Sequence, residues 1–410
     1  MFGVLNMKKA LVLAGGIAQV ALLNELKSRG YFTMLADMNS SCVAAKYADE
    51  FYQISAMDIQ KIEALVKEKS IDMVLTACAD QILVAEVKVC EDLGLKTYID
   101  SYTTDLVSNK HLMKDIFIKN EIPTSKYVVL EEFDEGSISG LNFPLVVKPV
   151  DAYSARGVNR CNNLEELKAN YTTAISFSRS KKAVVEEFVD GDEITVEAFI
   201  REGKAYVLCI GSKQKLSNGK FVLAGSIYPA DISAELIEEI NLTTQKIADA
   251  FHLINSPLNI NMITDGKHAY VLEFCARTGG FVKYEITRIM SGFDPIKAIV
   301  DLHEGIVPEI GTIKPQNKYL MTCYLYCSDG VLDRYEGFEN MYDQGVISKY
   351  YLVRNKGHQF KSIDSNGDRA AGFFVQDDNY EELLEKYHTA LKNLKVLDID
   401  GNDLVRRDLF

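Results

Sequence analysis

No run of 18 apolar residues, no CxxC pair and no excess of positive charge occurs in the 410 residues. Without such a run there is no candidate membrane-spanning helix. The start, Met1 to Ala14 followed by Gly15 and Gly16, also lacks the apolar core and small-residue cleavage site of a secretory leader. A cytoplasmic protein is the expectation, with no membrane partner. The 8 cysteines, at positions 42, 78, 90, 161, 209, 275, 323 and 327, are too dispersed for a disulfide framework or a zinc knuckle, so most are expected as buried, reduced thiols. Cys323 and Cys327 share a spacing of four, which in the strand-like run Met321 to Cys327 only puts them on one sheet face. The 6 histidines form no metal-spaced pair. With 45 Lys+Arg against 58 Asp+Glu, the net charge of −13 would repel a phosphate backbone and argues against a nucleic-acid partner. What remains is a soluble folded chain, 47% hydrophobic and 25% charged, long enough for two to four domains.

The first hundred residues alternate strand and helix patterns. Lys8 to Ala14 is a short apolar run, Gly15-Gly16 turns the chain into a helix over Ala18 to Arg29, and Gly30 ends it. Strands follow at Tyr31 to Ala36, Asp72 to Thr76 and Lys96 to Ile99, with helices near Asp58 to Lys69 and Ala79 to Leu93. The pattern is that of a doubly wound parallel sheet. A nicotinamide site with Asp37 on the ribose is disfavoured, because the glycine turn reads GGIAQ and lacks GxGxxG spacing.

Residues suited to chemistry begin after position 105. Ser108 is the expected N-cap of a helix whose first turn holds Lys110 and whose end lies before Pro123. Lys110 is there either a solvated lysine or one facing a bound anion, since a cation opposes the helix dipole. Phe143 to Val150 is a β-branched strand with Lys148 amid apolar residues, and Asp151 to Val158 (DAYSARGV) is a small polar loop, either an ordinary turn or a cradle for phosphate oxygens. Two strands, Lys182 to Phe188 and Glu193 to Ile200, flank Val189 to Asp192. A strand-end backbone can read an adenine edge and Glu193 can accept from ribose hydroxyls, although acidic residues beside a turn also simply face solvent. Leu258 to Phe274 reads as a hairpin about Asp265-Gly266 that sets Asn261 opposite Glu273. Two such oxygens suit a hard cation carrying phosphate, magnesium above all; otherwise they make a surface hairpin. Arg277 and Gly279-Gly280 follow. From Tyr319 onward, strand-like runs at Tyr319 to Cys327 and Ala371 to Val375 and a helix at Tyr380 to Leu391 suggest a smaller α+β unit. There Tyr324, Tyr326 and Arg334 either line a pocket or, for the tyrosines, pack a sheet.

Taken in order, SNKxxxK at Ser108 to Lys114, NEIPTSKY at Asn120 to Tyr127, VVKP at Val146 to Pro149, EEFVDGDE at Glu186 to Glu193 and NIN…LEFCAR at Asn259 to Arg277 resemble the ATP-grasp superfamily over residues 8 to 310. The branch with carbamoyl-phosphate synthetase, purine-pathway ligases and L-amino-acid ligases is the most similar. The resemblance implies an N-terminal doubly wound (pre-ATP-grasp) domain over 1–105, an ATP-grasp domain over 106–310 with a lid at about 120–190, and a C-terminal α+β subdomain over 311–410. It implies a carboxylate–amine ligase that forms an amide through an acyl phosphate, using ATP and Mg2+ as cofactors. A carboxylase or formyltransferase of the same fold and a non-catalytic ATP-binding protein are the alternatives. Carried onto this chain, Lys110 and Lys148 bind phosphates under the Ser154, Gly157 and Val158 loop. Glu186 with the backbone of Glu187 and Val189 holds adenine, and Glu193 holds ribose. Lys213 or Lys215 reaches the triphosphate, Asn261 and Glu273 bind magnesium, and Arg277, with Lys148, acts on the reacting group. Cys275 stands where many relatives carry a metal-binding Asn. Since such relatives often form dimers, a homodimer is the compatible assembly.

Overall fold

The computed structural model describes residues 7–151, 157–217 and 221–410. Three sheets organise it. Near the N-terminus the strands Lys9–Leu13, Phe32–Ala36, Glu50–Tyr52 and Met73–Leu75 form a parallel sheet, in the spatial order third, second, first, fourth. Three of the four are short and largely buried, the edge strand Glu50–Tyr52 being partly exposed, and helices cover both faces, as parallel sheets require. Lys96 to Ile99, expected as a strand, is irregular: it passes into the helix Ser101–Ser108, whose N-cap Asp100 accepts the N–H of Thr103. The order reverses between the first and fourth strands. The crevice at their carboxyl ends, the usual ligand position in open α/β sheets, is therefore lined by Gly15–Gly16 and by the start of the helix Asp80–Leu93. Asp37 does not face a ligand there, because its carboxylate accepts the N–H of Gly15 and of Asn39.

A second sheet of four strands, Tyr127–Leu130, Ala183–Glu187, Leu145–Pro149 and Asn159–Cys161 in spatial order, is backed by the helix Leu164–Phe177. The third sheet has eight antiparallel strands. It runs Ala269–Cys275, Ser256–Thr264, Asp192–Arg201, Lys204–Lys215, Leu223–Tyr228, Tyr319–Leu325, Ala371–Asp377 and Lys349–Leu352. The last three of these belong to the stretch that reads in sequence as a separate small unit; in space they continue the large sheet. Tyr324 and Tyr326 are fully buried, as sheet packing predicts, and Arg334 lies on the surface beside Asp333. All eight cysteines are unpaired. Among the described residues no helix is long and apolar enough to cross a membrane.

The strands Ala183–Glu187 and Asp192–Arg201, adjacent in sequence, lie in different sheets. Phe188 to Gly191 thus cross from the small sheet to the large one, and the large sheet, the small sheet and the N-terminal crevice meet around one cleft.

Candidate functional site

Asn109, not Ser108, caps the Lys110 helix: its side-chain oxygen accepts the N–H of His111 and Leu112 at 3.0 and 3.3 Å. Ser108 ends the preceding helix instead. The cap fixes Lys110 at the first helical position, with its Nζ 3.1 Å from Glu273 Oε2.

The hairpin brings Asn261 opposite Glu273, by a route that differs from the sequence expectation. A tight turn at Asp265-Gly266 would pair Asn261 with Tyr270. The observed loop is four residues long, Thr264 pairs with Ala269, and a bulge after Asn261 carries the register on to Glu273. Asn261 Nδ2 donates to Glu273 Oε1 at 3.3 Å, and its Oδ1 accepts from Lys213 Nζ at 2.8 Å. Lys213 also holds Glu193 Oε1 at 2.5 Å, while the more exposed Lys215 holds Glu193 Oε2 at 2.9 Å. Lys213 and Lys215 thus share Glu193, and Lys213 alone of the two touches the Asn261–Glu273 pair.

Lys148 stands in a strand whose residues are all buried, and its Nζ lies 2.5 Å from Glu186 Oε1. The other oxygen of Glu186 is 2.8 Å from Lys114 Nζ and accepts from Ser125 Oγ at 2.9 Å. Lys114 in turn donates to Thr124 and Ser125. The Glu186 carboxylate, read in sequence as an adenine contact, is therefore committed to two lysines, and its direct effect is to aim Lys148. Glu187 is a half-exposed residue that accepts from Asn142, and Val189 lies in the crossover between sheets. Gly157, with φ +70°, packs so closely that a Cβ would come within about 3 Å of Phe177 and Pro149, and Val158 is half-buried beside it. Ser154 lies outside the described residues.

The charges reinforce one another. The Lys110 ammonium, aided by Lys148 and Lys213 and opposed by burial, holds the Glu273 carboxyl at about 2. Burial pushes Glu186 and Glu193 up, but Lys148 and Lys114 on one, and Lys213 and Lys215 on the other, bring each down to about 2. All three carboxylates are ionised at neutral pH, inside a ring of lysines.

Arg277 is 8% exposed. Its Nε and Nη2 grip both oxygens of Asp80 at 2.7 and 2.6 Å, and Nη1 donates to Thr278 O. Asp80 opens the helix after the fourth strand of the N-terminal sheet, so this bidentate pair fastens the parallel sheet's crevice to the large sheet. Cys275 pairs across the hairpin with Asn259, and burial raises its thiol well above the ordinary value. A thiol held protonated is no ligand for a hard cation. Among the described residues no group of three or more His, Cys, Asp or Glu is placed to hold a metal. The oxygen set facing the lysines is Asn261 with Glu273.

Residues 141–285 match the ATP-grasp domain family. The chain carries an ATP-grasp domain. The matched stretch contains Lys148, Glu186, Glu193, Lys213, Asn261, Glu273 and Arg277, while Lys110 and Lys114 lie on the segment before it. By sequence the chain is 26% identical over 276 residues to the formate-dependent phosphoribosylglycinamide formyltransferase of Prochlorococcus marinus, covering 66% of this chain and 67% of that protein. Against the Bacillus subtilis enzyme of the same name it is 24% identical over 251 residues, 59% of this chain and 64% of the relative. The chain thus spans about two thirds of the length of these curated relatives. The fold of the L-amino acid ligase of Bacillus licheniformis superposes with TM-score 0.80 at 18% identity, over 95% of this chain and 98% of that one. The likeness to the ligase shows that its fold is shared over 95% of this chain.

Sequence reasoning did not single out Lys114 or Asp80 for a role, nor Glu197, Asn259, Lys283 or Arg369. Lys114 had a signal in its i+4 spacing from Lys110. The others sit in unremarkable local patterns and acquire partners only from distant segments.

Proposed function

We propose that the protein is an ATP-dependent carboxylate–amine ligase that forms an amide through an acyl phosphate and releases ADP and phosphate. The observation that carries this reading is the convergence of Lys110 and Lys213 on the Asn261–Glu273 pair, with Lys148 acting on the same carboxylate from the small sheet. Three cations around two oxygen ligands fit a triphosphate with a bound divalent ion, and the hard oxygen donors suit magnesium, with water and phosphate oxygens filling its remaining positions. Bound there, Mg2+ would offset charge on the phosphate oxygens.

In this reading a substrate carboxylate oxygen attacks the γ-phosphorus, the bond to the bridging oxygen of ADP breaks, and an amine then displaces phosphate from the acyl carbon. Lys110, Lys148 and Lys213 bind phosphate oxygens, and Lys213 is favoured over Lys215 because it touches Asn261. Glu193 serves the ribose, and the Phe188 to Gly191 crossover, with Glu187 and Val189, serves adenine. Arg277 fixes the edge of the reacting centre while anchored to Asp80. No protein nucleophile is needed; positioning and charge neutralisation carry the chemistry. The proposed units are 1–105, 106–310 with a lid at about 120–190, and 311–410. Unpaired cysteines throughout favour the cytosol. A homodimer is the proposed assembly, to be tested by light scattering.

The formyltransferase relatives favour a specific version of the same chemistry, with formate as the carboxylate. The test incubates the full chain and MgATP with formate, bicarbonate or amino acids, each with and without an amine, and measures ADP. ADP released only when carboxylate and amine are both present supports the ligase; release with bicarbonate alone moves the reading to a carboxylase. Tight ATP binding with no ADP under any pairing replaces it with a non-catalytic nucleotide-binding role.

A further inference from the structure

Glu86 and His303 make a contact that the proposed chemistry does not use. Their side chains are fully buried, and His303 Nε2 lies 2.9 Å from Glu86 Oε1. Glu86 stands on the helix Asp80–Leu93, and His303, 217 residues later, on the helix Pro295–Glu304. The other ring nitrogen, Nδ1, is 2.8 Å from the carbonyl oxygen of Ile299, one turn earlier. A carbonyl only accepts, so Nδ1 carries a proton. If Nε2 carries one as well, an imidazolium donates to a carboxylate; if it does not, its lone pair accepts from a protonated Glu86. In both cases the contact needs one proton held between the two residues. Without that proton an imidazole lone pair would face a carboxylate oxygen in the protein interior, where no solvent separates them.

Both residues lead to the Arg277–Asp80 pair. The second oxygen of Glu86 accepts the N–H of Thr76 at 2.5 Å. Thr76 follows the fourth strand of the N-terminal sheet, and its hydroxyl donates to Leu13 O at 2.9 Å, which ties it to the first strand. The short connection from Thr76 to Asp80 leads from that strand into the helix, so Glu86 holds from behind the segment that presents Asp80 to the crevice. On the other side, His303 lies edge-on to Tyr98, with ring centres 5.7 Å apart. Tyr98 OH donates to the carbonyl of Ala276, the neighbour of Arg277, at 3.1 Å. One buried pair thus touches the supports of both partners, Thr76 on the Asp80 side and Tyr98 on the Arg277 side.

The surroundings favour keeping the shared proton. Burial pushes the Glu86 carboxyl up, against the pull of His303. Burial pushes His303 down, but the hydrogen bond and charge of Glu86 outweigh it and leave the imidazole above its ordinary value. Cys90 and Tyr98 are the titratable groups that feel the Glu86 charge; burial and that charge raise both, so they stay neutral well above pH 7. Arg277 and Asp80 act on Tyr98 with opposite signs. The contact is therefore complete at neutral pH and is lost as pH rises through the point at which the proton leaves.

We infer that Glu86 and His303 are positioning residues for Arg277: the proton they share locks the Thr76–Asp80 connection and Tyr98, and through them sets the guanidinium at the reacting centre. Their part in catalysis rests on the ligase reading; the shared proton and its hold on the helix do not. Glu86→Gln separates the proton from the packing. The amide oxygen accepts from Thr76 and the amide nitrogen donates to the lone pair of a neutral His303, so the contact persists with no proton to lose.

The test follows the full chain, wild type and Glu86→Gln, across the neutral and alkaline range to about pH 10. NMR of nitrogen-15-labelled histidine reads the His303 ring, assigned by its loss in His303→Gln. Amide exchange in Asp80–Leu93, corrected for its intrinsic pH dependence, reads the helix. In wild type the His303 signal should step at least about one pH unit above the ordinary 6.5, a tenfold gain in proton affinity, and in Glu86→Gln it should fall below 6.5 because a buried ring has lost its carboxylate. Above the wild-type step, helix exchange should be at least fivefold faster in wild type than in Glu86→Gln; below it the two should differ less than twofold. The kcat for ADP release should fall tenfold or more across the same step in wild type and not in Glu86→Gln, with KM for MgATP changed less than twofold. A wild-type step at or below 6.5, no step in the range, or the same alkaline change in helix exchange in both proteins overturns the inference. Should Glu86→Gln fail to fold, wild type decides alone: a change in helix exchange that does not coincide with the His303 step refutes the positioning role. Both steps seen, with no ADP released under any substrate pairing, counts against the ligase reading and leaves the pair standing.

Discussion

Glu186 is the residue whose replacement reports most directly on how the lysines are held. Its carboxylate lies between Lys148 and Lys114, which are 6% and 1% exposed, so Glu186→Gln leaves two nearly buried ammonium groups without their shared counter-charge. The size of the effect follows from proton linkage. A carboxyl held at about 2 instead of its ordinary 4.5 corresponds to about 3 kcal/mol of stability at neutral pH. Breaking a buried ion pair from one side costs about 3–5 kcal/mol in other proteins, which is consistent. Because the folded-state value is depressed, this contribution is complete above about pH 4.5 and is lost as pH falls towards 2. In a chain with several sheets a single unfolding curve does not isolate one network, so the assay is amide hydrogen exchange in Leu145–Pro149 and Ala183–Glu187. Exchange there should quicken on the order of a hundredfold at pH 7 in Glu186→Gln, which is what about 3 kcal/mol amounts to. The gap from wild type should narrow as pH drops below the ordinary carboxylate value. Adding Lys114→Met should recover part of the loss, since it removes one stranded charge. Wild-type exchange rates in Glu186→Gln at pH 7 would refute the reasoning.

Lys148→Ala and Glu273→Ala should each lower ADP production on the order of 10² to 10³-fold, as for a lost preorganised contact to developing charge, and near-normal turnover in either removes the phosphate assignment. Cys275→Asn puts a hard oxygen beside Glu273, so the Mg2+ concentration giving half-maximal ADP release should fall severalfold, and an unchanged requirement would show that the position does not face the metal. Asp80→Ala strands a guanidinium that is 8% exposed, at a cost of about 3–5 kcal/mol, and because the pair joins the N-terminal sheet to the large one, calorimetry should show an earlier or a split transition; an unaltered thermogram contradicts the fastening role.

How far the sequence could be read depended on the range of the interaction. The alternation of the first hundred residues survived translation into structure, because most strands and helices there carry their own period and their own glycine or capping residue. The short strand Glu50–Tyr52 carries no such pattern and was not anticipated, and Lys96 to Ile99 has strand composition but no neighbour to pair with. The N-cap moved by one residue, from Ser108 to Asn109, because both types suit a cap and the end of the previous helix decided between them.

Local chemistry therefore determined a good deal by itself: the lysine at a helix start, the lysine in an apolar strand, the acidic turn and the existence of the hairpin that carries Asn261 and Glu273, though a bulge set its register, as well as the acidic, unpaired-thiol character of the whole. Only the tertiary structure decided that Glu186 serves two lysines, that Arg277 is gripped by Asp80 from 197 residues away, that the C-terminal strands complete the large sheet, and that Arg369 is stacked beside Phe281. Periodicity and turn preference act between near neighbours and are written in the local pattern. The partner of a buried charge is whatever the packing of distant segments brings to within about 3 Å, and no stretch of sequence records that.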